Sequence, residues 1–401
     1  MTDRLPASRA TTLMLHAYIC WIVLGSSLLH RPTLSLAIEA GLLGLISVLI
    51  GLERRKLDLD PVFLTYMYLF PCIILLSGMI SGPSPELAVF VAQVCACFAV
   101  VLVLASRDRL SPFLTSYVCA GLGLGAVAAI SWAMGSVRYF EAGRLAIFLG
   151  NANATGYFFA ALIFLSLAVL PRVPGALAAG LSLFLVGLSG SFGAVAALLL
   201  GGLAYIFLSG RLVLAAALAL PAGVLILSAS TYDLAQLMAS SELRAFRRIG
   251  TVLLLAENGN LALGDLGSGA DRRHLSDLSL SRISGTWHAN LISGFGAGQL
   301  PDSNFPGYAH NGWLRLWYAN GLISAVLYAL PFHLAVLICA RMRKYWWAAA
   351  CLVLLVFWYS TPLLYLRGAV FPMLLAWAWY FRSCQQKMPD PIPAMPDPSR
   401  G

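Results

Sequence analysis

The segment Gly175–Leu208 reads GALAAGLSLFLVGLSGSFGAVAALLLGGLAYIFL and contains no charged residue. It is far longer than the ~20 residues that cross a ~30 Å hydrocarbon layer as one helix. In its middle, Leu188–Gly193 (LSGSFG) carries the Gly and Ser residues that interrupt helices and permit tight turns. The run therefore predicts two antiparallel membrane spans, 174–189 and 191–208, with a reversal between them.

The same apolar character extends over the whole chain, which is 60% hydrophobic and only 11% charged. A soluble domain cannot bury that much apolar surface in one core. The apolar runs are continuous rather than alternating, which argues against spanning strands. We predict an all-α polytopic membrane protein with about twelve transmembrane helices. The predicted spans are 12–29, 34–52, 61–80, 86–105, 113–134, 151–170, 174–189, 191–208, 211–229, 311–339, 346–364 and 368–382.

Basic residues mark alternate loops between these spans, as the positive-inside bias predicts for cytoplasmic loops. Those on the predicted inner side are Arg54, Arg55, Lys56, Arg107, Arg109, Arg172, Arg211, Arg341, Arg343 and Lys344. We therefore assign the net charge of +9 to topology rather than to nucleic-acid binding. The predicted organisation is 1–229 for helices 1–9, 230–309 for an outer helical loop, 310–385 for helices 10–12, and 386–401 for a disordered cytoplasmic tail. Both termini are expected to be cytoplasmic.

Polar residues that could carry chemistry concentrate at the predicted outer face. Arg282 lies in a predicted helix, Ser281–Ser293, and His310-Asn311 precede a span that begins near Gly312. Arg144 lies shortly before the sixth predicted span. Arginine binds phosphate oxygens through two N–H groups at once, and a neutral histidine accepts protons near neutral pH. The pattern indicates a site for a phosphorylated substrate.

The outer loop contains a second basic group. Residues 232–257 alternate apolar and charged side chains at helical spacing, with Arg244, Arg247 and Arg248 on one side. This pattern predicts an amphipathic helix at the membrane surface. No cluster of carboxylates remains on the outer side to hold a divalent cation, so we expect neither a metal nor another cofactor.

These residues resemble the O-antigen ligase superfamily. The resemblance rests on Arg144 followed by Asn151-Ala152-Asn153, on Ser281-Arg282 followed by Trp287, Gly296 and Gly298, and on His310-Asn311 opening a span. It covers about residues 140–330 together with the span count. Relatives often have Ser-Arg-Gly in the turn between the seventh and eighth spans, where this chain has Ser191-Phe192-Gly193.

The resemblance implies a GT-C-like membrane glycosyltransferase. It would transfer O-antigen glycan from undecaprenyl pyrophosphate to lipid A–core oligosaccharide, at the periplasmic face of the bacterial inner membrane. Its catalytic residues would be Arg144, Arg282 and His310. We expect further substrate contacts from a second set of residues: Asn151, Asn153, Arg247, Arg248 and Asn311.

The chemistry expected of these residues is a metal-independent, inverting transfer. Fixed guanidinium groups stabilise the pyrophosphate leaving group, and His310 accepts the proton of the attacking hydroxyl. Three alternatives stay open. An O-antigen polymerase or a protein O-oligosaccharyltransferase would share the family pattern. A transporter of lipid-linked glycan would also combine many spans with a group of basic residues at the outer face.

Overall fold

The computed structural model describes residues 9–28, 61–81, 98–105, 109–141, 143–148, 150–211, 269–286, 289–295, 311–360 and 367–385, with scattered positions within 38–48, 91–95 and 236–254. The described chain is 86% helical. The predicted 386–401 tail and most of the predicted 34–52 and 211–229 spans lie outside these residues.

Most helices of the described part follow the predicted spans. They are α1 (Arg9–Cys20, continued by a π turn Trp21–Gly25 and by Ser26–Leu28), α2 (Pro61–Ser81), α3 (Ser111–Ala133), α4 (Ala152–Val169), α5 (Arg172–Ser189), α6 (Phe192–Ser209), α7 (Gly269–Gly285), α8 (Gly312–Asn320), α9 (Leu322–Arg341), α10 (Tyr345–Ser360) and α11 (Arg367–Gln385). Two short strands, β1 (Phe140–Glu141) and β2 (Arg144–Leu145), precede α4.

Five of the described helices, α3, α4, α5, α6 and α9, are long and apolar enough to cross a membrane. Large apolar side chains on their outer surfaces are exposed, for example Leu177 (72%), Leu199 (65%) and Phe207 (68%). Such a surface is stable in lipid and would aggregate in water. The fold is that of an all-α membrane protein.

The predicted reversal within the apolar run 175–208 is confirmed. Helix α5 ends at Ser189, and Gly190 adopts a left-handed conformation with φ +57°. Ser191 then caps α6, because its Oγ accepts a hydrogen bond from Ala194 N at 3.3 Å. Glycine adopts positive φ without steric cost, and serine is a favoured N-cap, so the turn follows from its sequence.

Helix α4 forms the centre of the bundle. Most of its residues are buried, including Phe158, Phe159 and Leu162. Helix α3 approaches it closely at Gly121, where an added Cβ would lie 2.9 Å from the Leu162 methyl groups. A small residue at such a crossing lets two membrane helices pack tightly without a hydrophobic driving force between them.

Basic and aromatic side chains meet at the opposite end of the bundle from the α5–α6 turn. The Arg211 guanidinium lies 5.8 Å from the ring centre of Tyr205, and Tyr205 stacks on Trp346 at 3.6 Å. The Lys344 ammonium lies 5.2 Å from the ring centre of Trp379. Cation–π contacts of this kind hold basic side chains against the bundle. Residues from the predicted inner loops therefore share one end of the molecule.

The predicted single span 311–339 is wrong, because the chain forms two helices there. Gly321, with φ +85° and ψ 164°, ends α8 and starts α9. One straight helix would separate Gly312 from Phe332 by about 30 Å. Yet an added Cβ on Gly312 would lie 2.7 Å from Trp358 Nε1, and the Trp358 and Phe332 rings are 6.4 Å apart. Helix α8 therefore folds back along α9, and the two form a helical hairpin.

The predicted helix Ser281–Ser293 is also wrong. Arg282 belongs to the last turn of α7, which ends at Gly285, and Ala289–Leu291 form a separate 3₁₀ turn. Thr286 explains the end of α7, since its hydroxyl donates to Arg282 O at 3.0 Å and its carbonyl accepts from Asn290 Nδ2 at 3.2 Å. Local side-chain bonds of this kind compete with continued helix.

Candidate functional site

A small β-hairpin that precedes α4 in the chain positions Arg144. Strands β1 and β2 pair antiparallel with Glu141 opposite Arg144, and Gly143 with φ +74° lies in the turn between them. After β2, the chain returns into the bundle. Ile147 and Phe148 are fully buried, and Phe148 stacks on Phe158 of α4 at 4.2 Å. The hairpin is therefore held by core packing.

The Arg144 guanidinium bridges two helix ends. Its Nε donates to Ser189 O at the end of α5 at 2.9 Å, and Nη2 donates to Asn153 Oδ1 in the first turn of α4 at 2.8 Å. Arg144 is half-buried. A permanently charged guanidinium bound at two edges has a fixed orientation, which is the condition for electrostatic preorganisation.

Helix N-termini meet beside Arg144. In the second turn of α4, an added Cβ on Gly156 would lie 2.6 Å from Ser189 Oγ and 2.8 Å from Ser191 Cβ. On α6, Gly193 packs against the hydroxyl of Tyr157. The starts of α4 and α6 therefore lie side by side. The helix dipole makes these two starts partly positive, whereas the end of α5, which binds Arg144 through Ser189 O, is partly negative.

The same end of the bundle holds the start of α8. Tyr157 follows Asn153 by one turn of α4, and its ring stacks on Phe357 of α10 at 4.7 Å. The next residue of α10, Trp358, is the one that lies against Gly312. Arg144, Asn153 and Asn311 therefore lie at the same end of the bundle.

Asn151 and Asn311, two of the predicted substrate contacts, are helix caps. Asn151 Oδ1 accepts from Ala154 N at 3.0 Å, and Asn311 Oδ1 accepts from Trp313 N at 2.9 Å and Leu314 N at 3.2 Å. These bonds set the starting direction of α4 and α8. The third predicted asparagine, Asn153, accepts the hydrogen bond of Arg144.

Arg282 reaches the membrane domain through Tyr318 of α8. Its Nη1 donates to Tyr318 Oη at 3.4 Å, and the neighbouring Ile283 packs against the Tyr318 ring. A second loop segment binds the same residue. Phe295 N donates to Tyr318 O at 2.6 Å, and the two rings are 4.8 Å apart. Helix α7 and residues 289–295 therefore dock on the α8–α9 hairpin.

Several predicted site residues have little or no description. His310, Arg244, Arg248, Trp287, Gly296 and Gly298 lie outside the described residues. Arg247 is exposed in a helical stretch, where Thr251 Oγ1 donates to its carbonyl at 2.9 Å. Phe192, the departure from the family turn, is 45% exposed at the start of α6. Within the described ranges, no three His, Cys, Asp or Glu side chains cluster where they could hold a metal.

Tyr318 is the site residue that sequence reasoning missed. It is only 7% exposed, and it contacts two separate segments of the outer loop. One signal was present: Tyr318 follows Asn311 by seven residues and so falls on the same helical face. In sequence comparisons, no protein family and no curated protein matches this chain.

Proposed function

We propose that this chain transfers O-antigen glycan from undecaprenyl pyrophosphate to lipid A–core oligosaccharide, at the periplasmic face of the inner membrane. The proposal includes the twelve-span, GT-C-like organisation and cytoplasmic termini. The single observation that supports it most is the arrangement of Arg144 at the α5–α6 turn. There a fixed guanidinium lies beside the starts of α4 and α6, in a bundle with a lipid-compatible surface.

The arrangement suits a pyrophosphate leaving group. As the bond between the sugar C1 and the pyrophosphate oxygen breaks, negative charge grows on that oxygen. Arg144, with the positive helix ends, stabilises that charge without reorganising, because its hydrogen bonds are already made. Arg282, held on Tyr318, supplies a second permanent charge from the loop side.

His310 has the role of general base. It accepts the proton of the acceptor hydroxyl as that oxygen attacks C1 from the face opposite the pyrophosphate, which gives inversion in one displacement. Undecaprenyl pyrophosphate then leaves with the bond electrons. The support for His310 is its position next to Asn311, whose cap fixes the start of α8. No step requires a metal, so transfer should persist in excess EDTA.

One observation favours a second candidate, a transporter of lipid-linked glycan. Transporters place binding sites at discontinuous helices, and the α8–α9 hairpin interrupts a predicted span at Gly321. The ligase proposal uses the same hairpin to carry Asn311 and Tyr318. Both candidates therefore explain the helix break at Gly321, and only an assay for glycan transfer distinguishes a ligase from a transporter.

The test is reconstitution of the purified protein in proteoliposomes with a glycan on its polyprenyl pyrophosphate carrier and lipid A–core. A ligase converts lipid A–core to a product of high mass. A polymerase ignores lipid A–core and lengthens the carrier-bound glycan, and a protein oligosaccharyltransferase modifies only added acceptor protein. A transporter moves the carrier-bound glycan across the bilayer with its mass unchanged. Any of the last three results in place of the first would refute the ligase proposal.

A further inference from the structure

Arg343, in the loop between α9 and α10, has a left-handed backbone conformation with φ +57°. It ends α9 through two backbone hydrogen bonds. Its own N–H donates to Ala340 O at 2.9 Å, and the N–H of Lys344 donates to Cys339 O at 2.9 Å. This helix ending requires a left-handed residue, which is usually glycine because glycine has no Cβ. Among the described residues, Arg343 is the only non-glycine residue with positive φ.

The same helix ending occurs twice more in the described part of the chain, both times with glycine. Gly135 follows α3 with φ +66°, and Gly210 follows α6 with φ +69°. Each makes the same pair of backbone hydrogen bonds as the end of α9. An arginine in this conformation has a steric cost that glycine avoids. The arginine after α9 therefore indicates that its side chain has a use that the turn itself does not require.

Four exposed basic side chains lie at this end of the bundle, and we call them the basic end: Arg211, Arg341, Arg343 and Lys344. Arg211 and Lys344 each follow a left-handed residue directly, and each lies over an aromatic ring. The ring under Arg211, Tyr205, stacks on Trp346, which joins α6 to the α9–α10 loop. Within the described residues, no carboxylate forms an ion pair with any of the four. Their charge therefore needs an anion from outside the described part of the protein.

Exposed apolar side chains lead up to the basic end. On α6, Phe207 lies one turn before Arg211 and is 68% exposed. On α9, Leu337 lies one turn before Arg341 and is 62% exposed. In a membrane protein such surfaces face acyl chains, so the basic side chains lie where the acyl chains meet the headgroups. A ligand that fits both parts has an anionic headgroup and hydrocarbon chains.

We propose that the basic end binds the phosphate headgroup of an anionic phospholipid, with the acyl chains against α6 and α9. This inference goes beyond the proposed function and does not depend on glycan transfer. Arg343 binds a phosphate through two N–H groups at once. Arg211 and Lys344, held over aromatic rings, add charge from α6 and from the loop. In the predicted topology this end faces the cytoplasmic leaflet, whose anionic lipids attract basic segments.

The experiment measures the affinity of phosphatidylglycerol for the full-length protein, from the rise of the unfolding midpoint as the lipid is added to detergent micelles. Phosphatidylcholine and inorganic phosphate are the comparison ligands. Wild type should be stabilised far more by phosphatidylglycerol than by either of them. Arg343→Gln should weaken phosphatidylglycerol binding by about tenfold, the value of one charge-assisted hydrogen bond. Equal stabilisation by inorganic phosphate or by phosphatidylcholine would contradict a site for anionic lipid.

Arg343→Gly separates lipid binding from folding. Glycine adopts the left-handed conformation without strain, so this variant should unfold no earlier than wild type in phosphatidylcholine. It should nevertheless lose as much phosphatidylglycerol binding as Arg343→Gln does. If Arg343→Gln does not fold, Arg343→Gly alone decides. Phosphatidylglycerol binding of wild-type strength in the folded Arg343 variants overturns the proposal.

Arg172→Gln is the matched control. Arg172 is exposed at the start of α5, and because α5 ends at the α5–α6 turn, its start lies at the same end of the bundle as Arg343. Helix α5 packs mainly on α3 and α4. The substitution removes the same charge outside the basic end, so phosphatidylglycerol should bind as it does to wild type. An equal loss in Arg172→Gln and Arg343→Gln would show that only the net charge of this end attracts the lipid, and would overturn the site.

Discussion

Arg144 is held by two hydrogen bonds that together fix the plane of its guanidinium, one to Ser189 O and one to Asn153 Oδ1. Both partners belong to helix ends, Ser189 to the end of α5 and Asn153 to the first turn of α4. Single substitutions test the proposed chemistry most directly, because the proposal assigns a role to individual side chains.

Arg144→Ala should lower transfer by about 10²–10³-fold, the loss seen when one charge-stabilising donor is removed. Arg144→Lys should restore only a small part, because an ammonium cannot bind both Ser189 O and Asn153 in the same geometry. The measurement is the initial rate of high-mass lipid A–core formation.

Arg138→Ala is the matched control for Arg144. Arg138 lies six residues earlier on the same side of the bundle, is exposed, and contacts the ring of Tyr139 at 5.4 Å. Its loss removes the same charge near the site without touching the α5–α6 turn. An equal loss of rate in both variants would show that only net charge matters there.

Single residues show how far sequence could lead. Arg144 and Arg282 were identifiable because they are basic residues on the side of the membrane where the positive-inside bias disfavours them. Asn151 and Asn311 were predicted as substrate contacts, and the structure shows both as helix caps. Tyr318 was missed, because its spacing from Asn311 is a weak signal and its importance arises from two distant loop segments that pack on it. Such contacts have no local pattern in the sequence.

At the scale of elements, the α8–α9 hairpin is the feature that local reasoning predicted wrongly. The apolar character of 311–339 is continuous, so hydropathy gives one span. The dipeptide Asn320-Gly321 is a turn signal within this segment, and the break between α8 and α9 occurs there. What stabilises the break is tertiary: Ser77 Oγ donates to Asn320 O at 2.9 Å, and Ile292 lies against Gly321.

Gly321→Ala should destabilise the hairpin. Its φ of +85° with ψ 164° is a region that only glycine occupies readily, and a Cβ there would lie 2.7 Å from the backbone of Ile292. Strain of this kind costs about 1–3 kcal/mol. Thermal unfolding in detergent should show a lower midpoint, and transfer should fall with it.

Gly202→Ala in α6 provides the comparison, since an added Cβ there meets no atom within 4 Å and the backbone is helical. It should leave the midpoint unchanged or raise it slightly, because alanine favours helix. If Gly321→Ala unfolds no earlier than Gly202→Ala, the turn does not depend on glycine.

For the whole molecule, the fold class and the antiparallel reversal at 188–193 were predictable, because helix length and apolar runs are local properties. The described helices also bring Arg211 and Lys344, from predicted inner loops, to one end. The orientation of that end toward the cytoplasm remains our prediction from the positive-inside bias.

Cysteine labelling tests the orientation. Single cysteines at Ser268 or Ser303, in the predicted periplasmic loop, should react with membrane-impermeant thiol reagents in intact spheroplasts. Cysteines at Ser106 or Ser209 should react only after lysis, with the native cysteines replaced in every variant. Labelling of the second pair in intact spheroplasts would reverse or break the proposed topology.

The central claim is that glycan transfer takes place at the end of the bundle where Arg144 and the start of α8 lie, with His310 as the base. The most direct measurement compares donor binding with single-turnover transfer to lipid A–core for wild type, His310→Ala and His310→Gln. The account predicts near-normal donor binding in all three and transfer only in wild type, since neither variant can hold the proton. Wild-type transfer by His310→Ala would contradict it.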